Sequence, residues 1–207
     1  YQVSDALIER VRSGAWKPDH DESDRQHRNA LAARGYWQAF QRVKAAVEQV
    51  LDGGNAGEIA DRVHPEWYRE LFGPSVAAGI LRPADLAGYR NGPVYIRRSL
   101  HVPPPMEAVR DLMPEFFALL AAEPEPAVRV VLGHFFFVYV HAYFDGNGRM
   151  GRFLMNLMVA SGGWRWTLVT FDTRDAYMSA LEQASVYQDI APFTRYLAAR
   201  LAARLPS

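Results

Sequence analysis

Five residues able to do phosphate chemistry fall in one short stretch, His141-Ala142-Tyr143-Phe144-Asp145-Gly146-Asn147-Gly148-Arg149-Met150-Gly151-Arg152. Gly146, Asn147 and Gly148 are residue types that tolerate positive φ, so successive backbone N–H groups can turn into one hollow. The next helix starts at the same point, and its free N–H groups and positive dipole end favour an anion. Arg149 and Arg152, spaced i, i+3, share a face of that helix. Two guanidinium groups beside such a nest suit the phosphates of a nucleotide. Asp145 is a hard oxygen ligand next to the hollow, of the kind Mg²⁺ takes together with phosphate oxygens. His141, at the end of the preceding helix, carries an imidazole able to take a proton from a hydroxyl nucleophile. Each of these residues alone is more often structural than catalytic. Together they are the set needed for phosphoryl or nucleotidyl transfer, which relies on positioning and charge stabilisation. The loop is not a P-loop, because the sequence lacks Gly-x-x-x-x-Gly-Lys.

Helices must hold this loop. Val3, Leu7, Ile8 and Val11 form the stripe of a short helix that Gly14 and Pro18 end. The acidic stretch 19–24 is expected to be a solvated loop, with a helix N-cap near Ser23 or Asp24. A long helix over about 25–51 carries Leu31, Tyr36, Phe40, Val43, Val47 and Val50, and Gly53-Gly54 stops it. Another is expected over about 58–72, broken near Pro65. Val94, Ile96 and Val102 are β-formers in a short run with turn-like flanks, which predicts a small β-hairpin. Pro103-Pro104-Pro105 then leads the chain out extended. Helices resume at about 106–122, 126–140, 149–160, 174–184 and 192–203. The expected fold is mainly α with one hairpin. His134 lies seven residues before His141 on the same helical face, and reads as a hydrogen-bonded core histidine rather than half of a metal pair.

The chain has 207 residues, which suits one domain with a small appendage. Lys plus Arg equals Asp plus Glu at 23 each, so no bulk charge draws it to nucleic acid or to an acidic membrane. It has no cysteine, which excludes a disulfide framework and Cys-ligated zinc. The longest apolar run, 130–140, is interrupted by Gly133 and His134 and is too short for a membrane span. The chain opens on Tyr1 with no signal peptide, and is expected to be a fragment of a longer protein.

The loop resembles the motif of the Fic family, His-x-Phe-x-Asp/Glu-Gly-Asn-Gly-Arg-x-x-Arg. Tyr143 stands where the family usually has Phe, and Ala142 replaces a frequent Pro. A Tyr anchoring the loop in the core needs a partner for its hydroxyl or a shifted packing. Gly88-Tyr89-Arg90, the 94–96 hairpin and the triple proline look like the family's flap region, about 88–105. The stretch 174–193 looks like the helical segment that closes its nucleotide pocket. The resemblance implies a Fic-type helical bundle, with an N-terminal helical segment at 1–54 packing on a catalytic core at 55–207.

It also implies a reaction, the transfer of AMP from ATP to a Tyr, Ser or Thr hydroxyl of a target protein. His141 would be the general base, and Asp145 would hold Mg²⁺ bridging the α- and β-phosphates. Asn147 and the backbone N–H groups of 146–149, Gly146 and Gly148 among them, would line the anion hole. Arg149 and Arg152 would bind the outer phosphates. Adenosine would sit against Val94, Tyr177, Met178, Leu181 and Ser185. Val94 and Ile96 would flank the edge along which the target docks as an added strand. Doc-like kinases of the superfamily have Lys at the position of Gly148, so the Gly favours AMP transfer. Transfer of another nucleotide or phosphate-containing group, and a non-catalytic Fic binding module, stay open as alternatives. The family's inhibitory motif, Ser/Thr-x-x-x-Glu-Gly/Asn, does not occur in the sequence; Ser4 and Glu9 are one residue too far apart. Three alternatives stay open for the inhibitor: a segment upstream of Tyr1, an antitoxin partner, or none. No nucleic acid or membrane partner is expected, and self-association stays open. A bacterial cytoplasmic location is expected, with export as an effector left open.

Overall fold

The computed structural model describes residues 5–202. Val3, Ser4 and Ala203 lie outside the described residues, as does the side chain of Ile8. Regular structure among the described residues is helical: α1 (Asp5–Arg12), α2 (Glu22–Leu51), α3 (Ala56–Ala77), a 3-10 turn at Pro83–Leu86, α4 (Met106–Ala122), α5 (Pro126–Val140), α6 (Asn147–Ser161), α7 (Arg174–Tyr187) and α8 (Ala191–Ala202). None of these helices is long and apolar enough to cross a membrane. The chain divides into two compact units, one built on residues up to 45 and 63–88, the other on 46–62 and 89 onward.

In the first unit Leu7, Leu31 and Ala78 form a buried cluster, with Val11, Trp16 and Ile80 packed against it. The acidic stretch is exposed at Asp19, His20, Glu22 and Ser23, as its charge suggests, but Asp24 is buried and the helix cap does not fall near Ser23 or Asp24. Asp21 Oδ1 accepts the Asp24 N–H at 3.0 Å, so Asp21 does the capping and α2 begins at Glu22. The Asp24 carboxylate is thereby left to accept Nε and Nη2 of Arg10, each at 2.8 Å, and the Lys17 N–H at 2.8 Å. It is fully buried, and the Arg10 hydrogen bond holds it below the usual carboxylate range. α3 also departs from expectation, running through Pro65 and Pro74 without a break. Each proline removes one N–H from the ladder, but Trp67, Tyr68 and Leu71 after Pro65 are buried and hold the turn in place. Gly35 lies directly under the Leu71 carbonyl, where any Cβ would collide.

In the second unit α5 is the central helix, packed on α4, α6, α7 and α8. It buries Val130, Gly133, His134, Phe135, Phe137 and Val140, a spread around most of its circumference that fits a core helix. α6 lies against it across Gly151, where a Cβ would come within 2.7 Å of Val138. The expected hairpin is absent from 93–105, which forms no strand. Pro93 and the triple proline have no N–H to give a ladder, and an isolated two-stranded hairpin is marginal in any case. The donors of this segment go elsewhere. Ser99 N–H closes a turn on the Ile96 carbonyl at 3.2 Å, with Arg98 in the left-handed region at φ 63°. Glu182 of α7 accepts the Ser99 hydroxyl at 2.5 Å and the Leu100 N–H at 2.7 Å.

Candidate active site

α5 ends at His141, which takes a left-handed conformation (φ 52°) and turns the chain into the loop. Gly146, at φ 83°, caps the start of α6. The turn between them is fixed by Asn147. Its Oδ1 accepts the Tyr143 N–H at 2.9 Å and its Nδ2 donates to the Tyr143 carbonyl at 2.8 Å. The Asn147 side chain is buried in this clamp, so what the residue offers an anion is its backbone N–H. Together with that of Gly148, it opens α6 where no carbonyl four residues earlier belongs to the helix. Tyr143 is buried too, its ring 5.5 Å from that of Tyr89 and 6.5 Å from that of Phe137.

A second clamp comes from Arg90, a residue that the sequence offered only as part of a flap likeness. Its backbone N–H donates to the Ala142 carbonyl at 2.8 Å. Its guanidinium, almost fully buried, donates to the carbonyls of His141 at 2.8 Å, Gly92 at 3.1 Å and Val140 at 3.4 Å, and to that of Pro104. One cation thus ties the loop to both ends of the 92–104 segment.

His141 Nδ1 lies 3.2 Å from the Val138 carbonyl. A carbonyl only accepts, so Nδ1 carries the proton and Nε2 is the basic nitrogen. Burial holds the imidazole below its ordinary value, helped by Arg90 and His101; the Val138 bond and Asp145 act the other way. His101 is itself anchored, Nε2 donating to the Tyr139 carbonyl at 2.8 Å.

His141 lines a cavity of about 650 Å³ with Gly148, Arg152, Tyr177, Met178, Leu181 and Ser185. Most of the expected nucleotide-binding side chains therefore meet in one space. Val94 is not on its wall; Ile96, two residues along the extended segment, takes that place. Asp145, Gly146, Asn147 and Arg149 do not line it either. The Asp145 side chain is 76% exposed; Oδ1 accepts the Gly146 N–H at 2.6 Å and Oδ2 pairs with Arg149 at 3.2 Å. The exposed carboxylate fits Mg²⁺ that arrives with phosphate oxygens, since one carboxylate is too few for an all-protein cage. Ile96 was expected at the target edge rather than on this wall, and the roles of Arg90, His101, Asn156 and Glu182 were missed in the sequence. Asn156 pins the 167 backbone to α6, accepting the Thr167 N–H at 2.8 Å and donating to its carbonyl at 3.0 Å.

Comparison with known proteins matches residues 61–159 to the model of the Fic/DOC family. The protein adenylyltransferase Fic of Nematostella vectensis is 36% identical over 124 residues, 58% of this chain and 28% of that protein. The protein adenylyltransferase fic-1 of Caenorhabditis elegans is 31% identical over 118 residues, 56% of this chain and 23% of that one. The chain thus spans about a quarter of the length of these curated relatives. The structure of Fic-1 residues 134–508 from C. elegans superposes with a TM-score of 0.67 at 23% identity, covering 94% of this chain and 53% of that one. A Fic domain containing signaling protein from Bacteroides thetaiotaomicron gives a TM-score of 0.62 at 17% identity, over 80% and 68% of the two chains. At these identities the superpositions speak for the fold. Over residues 61–159, then, the chain is similar to the Fic/DOC family, and its relatives and structural neighbours carry the Fic name.

Proposed function

We propose that this protein transfers AMP from ATP to a hydroxyl of a target protein. The observation that carries the reading is His141: an imidazole that burial holds below its ordinary value, its Nδ1 tied to Val138, lining the same cavity as Gly148 at the start of α6 and Arg152. The names of the curated relatives, protein adenylyltransferases, support the same chemistry. In the proposed reaction the target hydroxyl oxygen attacks the α-phosphorus. Its proton passes to His141 Nε2, and the bond to pyrophosphate breaks. Arg152 and Arg149 bind the outer phosphates, and the first amides of α6 receive the negative charge. Asp145 would hold Mg²⁺, which supplies charge neutralisation on the phosphates. Met178, Leu181 and Ser185 of α7 would take the adenosine. The extended 94–96 segment would guide the target chain.

The test is to incubate the protein with ATP labelled on the α-phosphate, Mg²⁺ and lysate, and to identify modified peptides by mass spectrometry. AMP on Tyr, Ser or Thr is expected with wild type, reduced about 10²–10⁴-fold in His141→Ala. A different added group would replace AMP transfer by another phosphate-group transfer. The absence of any label, together with no Mg²⁺-dependent ATP affinity, would leave a binding module instead.

A further inference from the structure

The segment that would guide the target alternates as an extended chain does, although it forms no strand. Val94 and Ile96 are partly buried, Ile96 on the wall of the cavity, while Tyr95 and Arg97 are exposed. Arg98 breaks the alternation. It takes the left-handed conformation, φ 63°, and lines the cavity. Residues with a side chain seldom adopt that conformation, and such strain is kept where the surroundings fix it, often at sites of binding. Here the surroundings are plain. The Ser99 N–H closes the turn on the Ile96 carbonyl at 3.2 Å, and Glu182 holds the Ser99 hydroxyl and the Leu100 N–H. Arg98 is therefore presented on a fixed turn, with Arg97 beside it.

Neither guanidinium makes a hydrogen bond or an ion pair among the described residues. Elsewhere Arg10, Arg28, Arg42, Arg82 and Arg149 each meet a carboxylate. Residues 91–105 contain no Asp or Glu. Glu182, the carboxylate that reaches this turn, has both oxygens taken by Ser99 and Leu100. Two arginines thus stand against one carboxylate, in a chain whose charges balance at 23 each. Their placement narrows the partner. Arg98 lines the cavity and Arg97 does not, so the pair straddles its rim. A nucleotide inside the cavity could reach only one of them, whereas a chain crossing the rim can meet both. Tyr95 at 86% exposed and Leu100 at 74% flank the pair, and tyrosine and arginine are residue types that dominate contact surfaces.

We propose that the acceptor hydroxyl of the target lies in an acidic stretch of chain, whose Asp or Glu side chains pair with Arg97 and Arg98 as it crosses the rim toward His141. The inference rests on the adenylyl-transfer reading above and adds to it the class of protein segment that is modified. A guanidinium fork matches a carboxylate bidentately, which gives register as well as attraction. Unpaired cations at the rim also draw an acidic segment in before contact, so the preference should weaken with salt.

The test uses three peptides with a central Tyr, flanked on both sides by Glu, by Gln or by Lys. Their binding is measured by fluorescence anisotropy without nucleotide, and their labelling with Mg²⁺ and ATP labelled on the α-phosphate. Wild type should favour the Glu peptide over the Gln peptide about tenfold, as two ion pairs near the upper end of the usual range would give. High salt should shrink that advantage. The double variant Arg97→Glu, Arg98→Glu should reverse it in favour of Lys, with Mg²⁺-ATP affinity unchanged. Equal binding of the three peptides by wild type overturns the inference, as does a Glu preference that survives in the variant. A loss of ATP affinity matching the loss of peptide would make Arg98 a phosphate ligand, and overturns it too. Anisotropy decides the docking preference even where no peptide is labelled. The absence of label on every peptide and on lysate proteins overturns the adenylyl-transfer reading separately. If the double variant does not fold, the exposed single change Arg97→Gln takes its place, with about a threefold loss of the Glu preference expected.

Discussion

At the scale of single residues, the motif loop divides its side chains between chemistry and support. His141 is placed for the first task and Asn147 for the second, although both stand in the same short motif. Burial holds the His141 imidazole below its ordinary value. A general base must be unprotonated, so the acid limb of the pH–rate profile should lie below the ordinary imidazole pKa of about 6.5. Label transfer measured from pH 5 to 8 checks this, and a limb at or above pH 6.5 would contradict it. Arg90 gives a second prediction. A Lys has one compact ammonium and cannot copy a planar fork directed at four carbonyls. Arg90→Lys should therefore destabilise the protein by about 2–4 kcal/mol in urea unfolding, with label transfer falling alongside. The loop's chemistry was legible in the sequence because its residues are contiguous. The Arg90 clamp was not, because its partners are main-chain carbonyls, two of them about fifty positions away, and carbonyls leave no mark on residue type. Asn147 was read as facing the ligand for a similar reason: its type fits both roles, and only the Tyr143 backbone decides between them.

At the scale of elements, periodicity recovered the helices, while capping and long-range bonds decided what periodicity leaves open. α2 starts earlier than its apolar stripe suggests because Asp21 caps it, releasing Asp24 to reach Arg10. Val94, Ile96 and Val102 look like strand residues taken locally. The segment's hydrogen bonds, however, are settled by Glu182 on α7, more than eighty positions away. Glu182→Ala should thus free the turn without unfolding the bundle. Amide exchange at Leu100 is expected to rise about tenfold or more while that of α5 and α6 stays unchanged; equal protection would show that the carboxylate does not hold the turn. The α5–α6 contact makes the opposite prediction. Gly151→Ala puts a methyl within 2.7 Å of Val138 and 3.2 Å of the His134 ring. The two helices must part, at a cost of about 1–3 kcal/mol, and the 2.8 Å hydrogen bond from His134 Nδ1 to the Gly151 carbonyl loosens with them. A thermal melt of the variant equal to that of wild type would show that the interface can absorb the methyl.

At the scale of the whole molecule, the balanced charge of 23 acidic and 23 basic residues means that no large self-repulsion builds up until the carboxylates begin to protonate. Between pH 7.5 and 5 the stability should therefore follow the histidines, and His134 above all. In the unfolded chain its imidazole titrates near the ordinary 6.5, whereas in the folded protein burial holds it at about 4. The unfolded state thus binds the proton first as pH falls. Its contribution to stability is full above pH 6.5, declines as pH drops through that value, and is gone below about 4, a span worth on the order of 3 kcal/mol. Urea unfolding should show about 2 kcal/mol of this loss between pH 7.5 and pH 5. His141, also held below its ordinary value, adds in the same direction. His134→Gln removes the titrating group, so that variant should start less stable at pH 7.5, having lost the ring that lies 2.8 Å from the Gly151 carbonyl and 2.7 Å from the Tyr177 hydroxyl, yet fall less steeply toward pH 5. Parallel curves for the two proteins would mean that His134 titrates alike in the folded and unfolded states, contrary to a ring buried between Gly151 and Tyr177.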